Sequence, residues 1–287
     1  MTVRKALGWV RNNKMRAFRY LVLAVGIPCS IIAWRDTMAD PVVRRTEVVL
    51  PGLAKDAPPL TIALLSDFHV ADPDMPPSRL ARIVAQVNAL KPDYVMLAGD
   101  FITDRTLALH HYQYRDALAP LAALKPRIAT IAVLGNHDHW RNAEEGIREL
   151  RHIGARVLLN ESAQIGPLHI VGVGDHMSQH SDYPRAFAKA PADHGAIVAL
   201  SHGPDVVPSL PDDIPLTLAG HTHCGQIQWP WGGSPAYMSN YGDRYACGRI
   251  VEGRKTVIVT AGLGTSVLPF RFLAVPDMWL VTVRGPK

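Results

Sequence analysis

Cysteine is scarce in this 287-residue chain, which has only Cys29, Cys224 and Cys247. Three are too few for a disulfide scaffold, and an odd number leaves at least one unpaired within the chain. The spacing leaves a Cys224–Cys247 bridge open, and cysteine usage alone assigns no redox compartment. Acidic residues are missing from residues 1–19, which hold Arg4, Lys5, Arg11, Lys14, Arg16 and Arg19. The formal charge of +5 is therefore a local property. The tail carries +6, and the other 268 residues carry 24 basic and 25 acidic side chains, or −1. A near-neutral body without a basic stripe argues against a nucleic-acid partner, whereas a basic tail suits an anionic membrane surface. Internal repeats and low-complexity tracts are also absent. With 48% hydrophobic and 19% charged residues, the chain is neither disordered nor wholly membrane-embedded.

A long uninterrupted apolar run is lacking too. Tyr20 to Trp34 is free of charge for 15 residues, roughly 23 Å of helix against a bilayer core of about 30 Å. Aromatic residues stand at both ends, where the membrane interface favours them. Three readings follow: a signal anchor, a signal peptide cleaved after Thr37-Met-Ala39, and a helix lying in the interface or packed on the domain. The flank before the run is +6 and the flank Arg35–Arg45 is +1. The positive-inside rule then puts the tail in the cytoplasm and the large domain outside.

The body alternates. Residues 40–59 read as a linker with an edge strand at Val48–Leu50. Thr61–Ser66, Tyr94–Ala98 and Ile128–Leu134 read as buried strands. Between them, Leu80, Ile83, Val84, Val87 and Leu90 trace one face of a helix that Ser78 is placed to cap and Pro92 to end. A second helix is expected within Leu107–Leu124, and a third over Ala143–Ile153, closed by Gly154. Later strands are expected at Arg156–Leu159, Leu168–Val173, Ala196–Leu200, Leu216–Ala219, Gln226–Trp229, Gly248–Glu252, Thr256–Thr260 and Met278–Val283. A βαβα opening implies a largely parallel sheet under helices, and the later strands imply a second sheet.

Five polar motifs each follow a short apolar run: Asp67-Phe-His69, Gly99-Asp100, Gly135-Asn136-His137-Asp138, Ser201-His202 and Gly220-His221-Thr-His223. The carboxyl ends of strands in an open α/β sheet form its ligand crevice, so these segments are expected to share one rim. Imidazole, carboxylate and amide oxygen together suit divalent transition metals. The glycines are expected where loops must approach an ion closely. Each motif alone is cheap; five in order, each after a strand, are not.

Complete and in order, the set resembles the calcineurin-like metallophosphoesterase superfamily, whose pattern is D-x-H, G-D, G-N-H-[DE], a lone H and G-H-x-H. The resemblance covers about residues 45–285. It implies an α/β fold, a four-layer αββα sandwich, preceded here by the hydrophobic helix. Residues 1–39 then form a tail and anchor, and residues 40–287 the catalytic domain. The resemblance also implies two divalent metal ions (Mn, Fe, Zn or Co). Asp67, His69, Asp100 and His223 would hold one, and Asp100, Asn136, His202 and His221 the other. His137 would act beside the phosphate, oriented by Asp138, while a metal-held hydroxide attacks phosphorus. A non-catalytic scaffold of the same fold is disfavoured because no motif residue is missing.

Gly262–Arg271 followed by Pro276 is similar to the C-terminal signature of a bacterial, membrane-associated phosphodiesterase branch. Some of its members are UDP-2,3-diacylglucosamine hydrolases of lipid A synthesis. The implied substrate is a lipid- or nucleotide-linked phosphate ester, at the bacterial inner membrane. Asp104 matches the branch as a residue behind the site. Cys224 departs from it, standing where a glycine is usual, either as a soft extra ligand or as a plain substitution. Tyr241, Arg244 and Arg271 are candidates to meet the substrate.

Overall fold

The computed structural model describes residues 13–287; Arg4, Lys5 and Arg11 of the basic tail lie outside the described residues. The described residues begin with α1 (Lys14–Met38), β1 (Val42–Val49), β2 (Leu60–Leu65), β3 (Ala71–Asp72), α2 (Pro77–Ala89), β4 (Tyr94–Ala98), β5 (His110–His111) and α3 (Tyr114–Leu118). It continues with β6 (Ala129–Val133), α4 (Asn136–His152), β7 (Arg156–Val157), β8 (Glu161–Ile165), β9 (Leu168–Gly172) and α5 (Tyr183–Phe187). The last strands are β10 (Ile197–Leu200), β11 (Leu216–Ala219), β12 (Gly248–Glu252), β13 (Lys255–Val259) and β14 (Asp277–Arg284).

Two six-stranded sheets result, in the orders β1-β14-β2-β4-β6-β7 and β12-β13-β11-β10-β9-β8. The strands that precede the motifs run parallel to a neighbour in each case: β2 with β4, β4 with β6, and β10 with β11. The alternation of side chains along each strand decides the layering. In β2, Leu60, Ile62 and Leu64 face Ile170, Val198, Leu218 and Ile258 of the other sheet. Ala63 and Leu65 face α2 and α4 instead, packing with Ile83, Val87 and Leu150. The outer face of the second sheet is covered by Ala186 of α5 and by Val206 and Leu210. The order helix, sheet, sheet, helix is the four-layer sandwich expected from the motifs.

Several elements differ in detail. The helix starting near Ser78 begins at Pro77 with Pro76 as its N-cap, and Ser78 makes no capping bond; Pro at the first turn gives up an N–H that the helix does not use. The helix expected within residues 107–124 is one α-turn, Tyr114–Leu118, followed by a 3-10 turn, Ala119–Ala123. Residues 226–229 do not form a strand: Ile227 makes only an isolated bridge to Phe272. The edge strand is longer than Val48–Leu50, pairing parallel with β14 from Val42 onward.

The hydrophobic helix α1 is 25 residues, long and apolar enough to cross a membrane, with Pro28 inside it. Its lipid-compatible stretch is exposed, including Leu21, Leu23, Ile27 and Ile31, but its last turn is not. Asp36 and Thr37 are buried. The Asp36 carboxylate accepts the Leu273 N–H at 2.9 Å, and the guanidinium of Arg79 donates to the Ala39 carbonyl at 2.7 Å.

Candidate metal centre

All seven residues put forward as metal ligands converge at the carboxyl ends of β2, β4, β6, β10 and β11. Asp67, His69, Asp100, Asn136, His202 and His223 are buried, and His221 lies at the edge. Asp67, His69 and His223 form one group of close donor atoms, Asp100, His202 and His221 a second, and His69, Asp100 and His137 a third that joins them. Asp100 touches both groups, at 3.5 Å from His69 Nε2 and 3.2 Å from His202 Nε2.

The local backbone is shaped for this convergence. Asp67, His69, Asp100, His221 and His223 all have positive φ, a conformation that side-chain-bearing residues rarely adopt. Strain of this kind persists where the surrounding structure over-determines it. Gly99 takes a positive φ of 83°, but the other glycines serve a different purpose. Gly135 and Gly220 are not in the left-handed region, but a Cβ on Gly135 would land on the Asp100 carboxylate, and one on Gly220 on Ser66 and Asp67.

The donor set fits cations. The His202 ring is tied by Nδ1 to the Ala98 carbonyl at 2.7 Å, which fixes a proton on Nδ1 and turns Nε2 to the centre. Nε2 faces Asn136 Oδ1 at 3.1 Å, His221 Nδ1 at 3.0 Å and the Asp100 carboxylate, which against burial holds the metal-free ring well above the ordinary histidine range; a cation there would displace the Nε2 proton. On the other side of Asp100, the Nε2 atoms of His69 and His223 face each other at 3.2 Å, with His223 Nε2 3.3 Å from Asp67 Oδ1. A cation between these nitrogens and oxygens would satisfy all of them at once. Burial holds the His69 and His223 rings well below the ordinary histidine range, as neutral imidazoles with a free lone pair. Nδ1 of His69 is buried with no partner.

His137 sits on the open side. Its Nδ1 is 2.5 Å from Asp104 Oδ1, and its ring lies edge-on to His69 with centroids 4.8 Å apart. The carboxylate that orients it is thus Asp104, and the expectation for Asp138 is corrected. The motif residues Asn136, His137 and Asp138 form a short helical segment that opens α4, and a non-helical Asn142 (φ −168°, ψ 90°) separates it from the helix expected from Ala143. Asp138 therefore occupies N3 and folds back to accept the N–H of Gly135 at 2.9 Å. It also accepts the N–H groups of Asp100 and Phe101, at 2.8 and 3.0 Å, and the Tyr114 hydroxyl at 3.2 Å. Fully buried, it pins the Asp100 segment to the Gly135 segment. Burial and the Asp100 charge push it up to about 7.

Three other expectations change. Cys224 is bridged to Cys247, so its sulfur is no extra ligand. Arg271 is buried, donating to the carbonyls of Ala261, Gly262 and Gly264, with one nitrogen 3.3 Å from His223 Nδ1. It supports the centre from behind and does not reach out to substrate. Arg244 is paired with Glu252 at 2.7 and 2.9 Å. The role of Arg271 was hidden in sequence, because nothing local distinguishes an inward from an outward arginine.

Relatives agree with this geometry. The family model for calcineurin-like phosphoesterases matches residues 60–225. A transmembrane protein with metallophosphoesterase domain from Danio rerio is 30% identical over 93% of this chain, which spans 63% of that protein's length. The phosphodiesterase YaeI of Escherichia coli is 31% identical over 73% of the chain and 77% of its own. An uncharacterized metallophosphoesterase of Bacillus subtilis, YkuE, is 29% identical over 78% of the chain and 79% of its own. The match runs from the first residue of β2 through the turn that carries His221 and His223, and the chain belongs to the calcineurin-like phosphoesterase family of metal-dependent enzymes.

Proposed function

We propose that the chain is a membrane-anchored, two-metal phosphodiesterase. The observation that carries this reading is the shared carboxylate of Asp100 between two groups of inward-facing donors. Asp67, His69, Asp100 and His223 would hold one ion, and Asp100, Asn136, His202 and His221 the other. When bound, such a pair polarises a phosphoryl oxygen and activates water toward phosphorus. His137 is the group that moves a proton: Asp104 holds Nδ1, and a proton on Nε2 is donated to the departing oxygen. Ser266 Oγ lies 3.5 Å from that nitrogen and keeps it aimed. Arg271 and Asp138 position the ligands without touching substrate.

Residues 1–39 are read as tail and anchor, and 40–287 as the catalytic domain. Three observations support retention of the helix at a bacterial inner membrane, with the domain outside. The last turn is built into the domain through Asp36, Thr37 and Ala39, so cleavage at Thr37-Met-Ala39 would cut a packed segment. The Cys224–Cys247 bridge suits an oxidising compartment. The +6 tail suits the cytoplasmic face. An apolar cavity of about 530 Å³ lies between Trp34 and Cys29 of the helix and Phe270, Phe272 and Ile227 of the domain. It favours a lipid-linked ester over a soluble nucleotide. The disulfide weighs against a UDP-2,3-diacylglucosamine hydrolase, whose substrate lies at the cytoplasmic leaflet.

The test is hydrolysis of bis-p-nitrophenyl phosphate by the full chain in detergent with added Mn²⁺. Activity that survives His137→Ala and Asp100→Asn together would sink the reading. Metal bound at two equivalents with no turnover on any ester would favour the scaffold instead.

A further inference from the structure

The helix α1 docks on the same rim that carries the metal ligands. The segment 260–276 leaves the carboxyl end of β13, which runs parallel to β11, and His221 and His223 follow the carboxyl end of β11. Within that segment Arg271 and Leu273 bind the last turn of α1 through Thr37 and Asp36. The contact then runs back along the helix, where Cys29 and Trp34 line one cavity together with Ile227, Phe270 and Phe272. Cys29 lies about 7.5 Å deeper along α1 than Trp34, at ~1.5 Å per residue. The uncharged run Tyr20–Trp34 is shorter than a bilayer core, so a spanning α1 has all of it, Cys29 included, within the membrane. What packs on Cys29 and Trp34 then lies at membrane depth too. The loops that do so are uncharged. Residues 224–242 hold no Asp, Glu, Lys or Arg, and Arg271, the only charge in 261–276, is buried and turned inward. Trp229, Trp231, Val267 and Leu273 are exposed apolar side chains, and the two tryptophan rings stack with centroids 5.5 Å apart. Charged side chains are costly in a bilayer, and tryptophan is favoured at its interface.

We propose that this rim is a membrane-docking surface. The segments Ile227–Trp231 and Phe270–Leu273 lie in the headgroup layer of the bilayer that holds α1, and the metal centre opens onto phosphodiester headgroups of that same layer. The inference rests on the membrane-anchored phosphodiesterase reading and adds the direction from which substrate arrives. Gln226 joins the two segments to the proton donor: its amide donates to the carbonyls of Leu268 and Phe270 at 3.0 and 3.1 Å and accepts the Ser266 N–H at 2.8 Å. Ser266 Oγ in turn lies 3.5 Å from His137 Nε2. The chain from Ser266 to Phe270 spans at most about 14 Å even if fully extended. A headgroup at the metal centre thus keeps its acyl chains beside the apolar loops. The occupant of the cavity is lipid, because it borders on turns of α1 whose side chains, Ile27 and Ile31 among them, are exposed and suited to hydrocarbon. Substrate is met in the plane of the bilayer, where tethering raises its effective concentration.

The full chain with Cys29→Ser, which removes the free thiol, is labelled with a fluorophore at Leu273→Cys or at Arg254→Cys and placed in phosphatidylcholine vesicles. Arg254 is exposed in the turn between β12 and β13, at the opposite rim. The label at Leu273 is expected to be quenched by lipid with a nitroxide near its headgroup and shielded from iodide, and the label at Arg254 the reverse, each by severalfold. The wild-type chain is also given a p-nitrophenyl diacylglycerol phosphodiester, either in its own vesicles or in separate ones. Turnover in its own vesicles is expected to be about tenfold faster. The assignment is overturned by a Leu273 label as open to iodide as that at Arg254, by one shielded from both quenchers, which marks a protein partner, or by equal turnover from separate vesicles. The turnover comparison decides by itself if the labelled variants fail to fold. A chain that stays in the vesicles at alkaline pH and gives any of these outcomes overturns this inference alone. Release of the chain at alkaline pH overturns the anchor beneath it, and no turnover of bis-p-nitrophenyl phosphate overturns the phosphodiesterase reading.

Discussion

The hydroxyl of Thr37, in the last turn of the hydrophobic helix, accepts the backbone N–H of Arg271 at 2.7 Å, and the guanidinium of Arg271 lies 3.3 Å from Nδ1 of His223. One buried arginine thus stands between the helix and the metal centre. Its fork satisfies a set of carbonyls that no water reaches. Arg271→Met strands several of these acceptors, each costing about 1–3 kcal/mol. A drop of at least about 3 kcal/mol is expected in denaturant unfolding, and Arg271→Lys recovers little of it because a single ammonium cannot reproduce the fork. Thr37→Val with Asp36→Ala is expected to speed hydrogen exchange at the amides of Arg271 and Leu273. Unchanged protection there refutes the docking of the helix.

The Asp100 carboxylate groups with His202 and His221 on one side and lies 3.5 Å from His69 Nε2 on the other. Asp100→Ala is expected to leave less than one equivalent of metal by elemental analysis and to lower kcat by about 10²-fold or more. Two retained equivalents contradict the bridge.

His137 behaves differently from the ligands. His137→Ala is expected to keep its metal and lose about 10²–10⁴-fold in kcat. Asp104→Asn, which weakens the hold on Nδ1, is expected to lose about tenfold in kcat. Equal effects of His137→Ala and Asp138→Ala on kcat, with both variants fully folded, contradict the assignment of orientation to Asp104.

The disulfide closes a loop with a sequence separation of 23 immediately after His223. Cys224→Ser with Cys247→Ser is expected to lower stability by about 3 kcal/mol, the loop-closure value for this length. Thiol trapping in intact cells checks the compartment. A reduced pair in the native membrane contradicts a domain on the oxidising side.

His139, which is not among the proposed ligands, supplies a pH dependence of its own. Burial, and then the neighbouring His180 ring at 3.8 Å, pull it down to about 4. Between about 4 and its ordinary value near 6.5 the unfolded chain binds a proton that the folded chain refuses. Stability therefore falls as pH drops through that window, and the whole penalty is present below it. His139→Gln removes the difference, so its thermal midpoint is expected to decline less than that of wild type from pH 6.5 to pH 4.5.

The motifs were legible because their chemistry is local. Asp67-x-His69 and His221-x-His223 are written within three residues, and the parallel strands that carry them read as short apolar runs. Asp138 shows where that legibility stops. In sequence it adjoins His137; in the fold, the helix begins two residues earlier, and the first turn sends its carboxylate back to the Gly135 N–H. Asp104 stands 33 positions from His137 and touches it. Gln226–Trp229 looked like a strand because its residues suit one, but without a neighbouring ladder they make a single bridge.

Layer order, donor types and the basic tail are all written locally, since side-chain alternation, strand-end placement and formal charge follow from residues near one another. The tertiary structure alone decided which cysteines pair, that Arg271 faces inward to His223, and that Asp104 rather than Asp138 holds His137. These depend on distances between segments tens to hundreds of residues apart, and those distances are settled only when the two sheets pack and bury what lies between them.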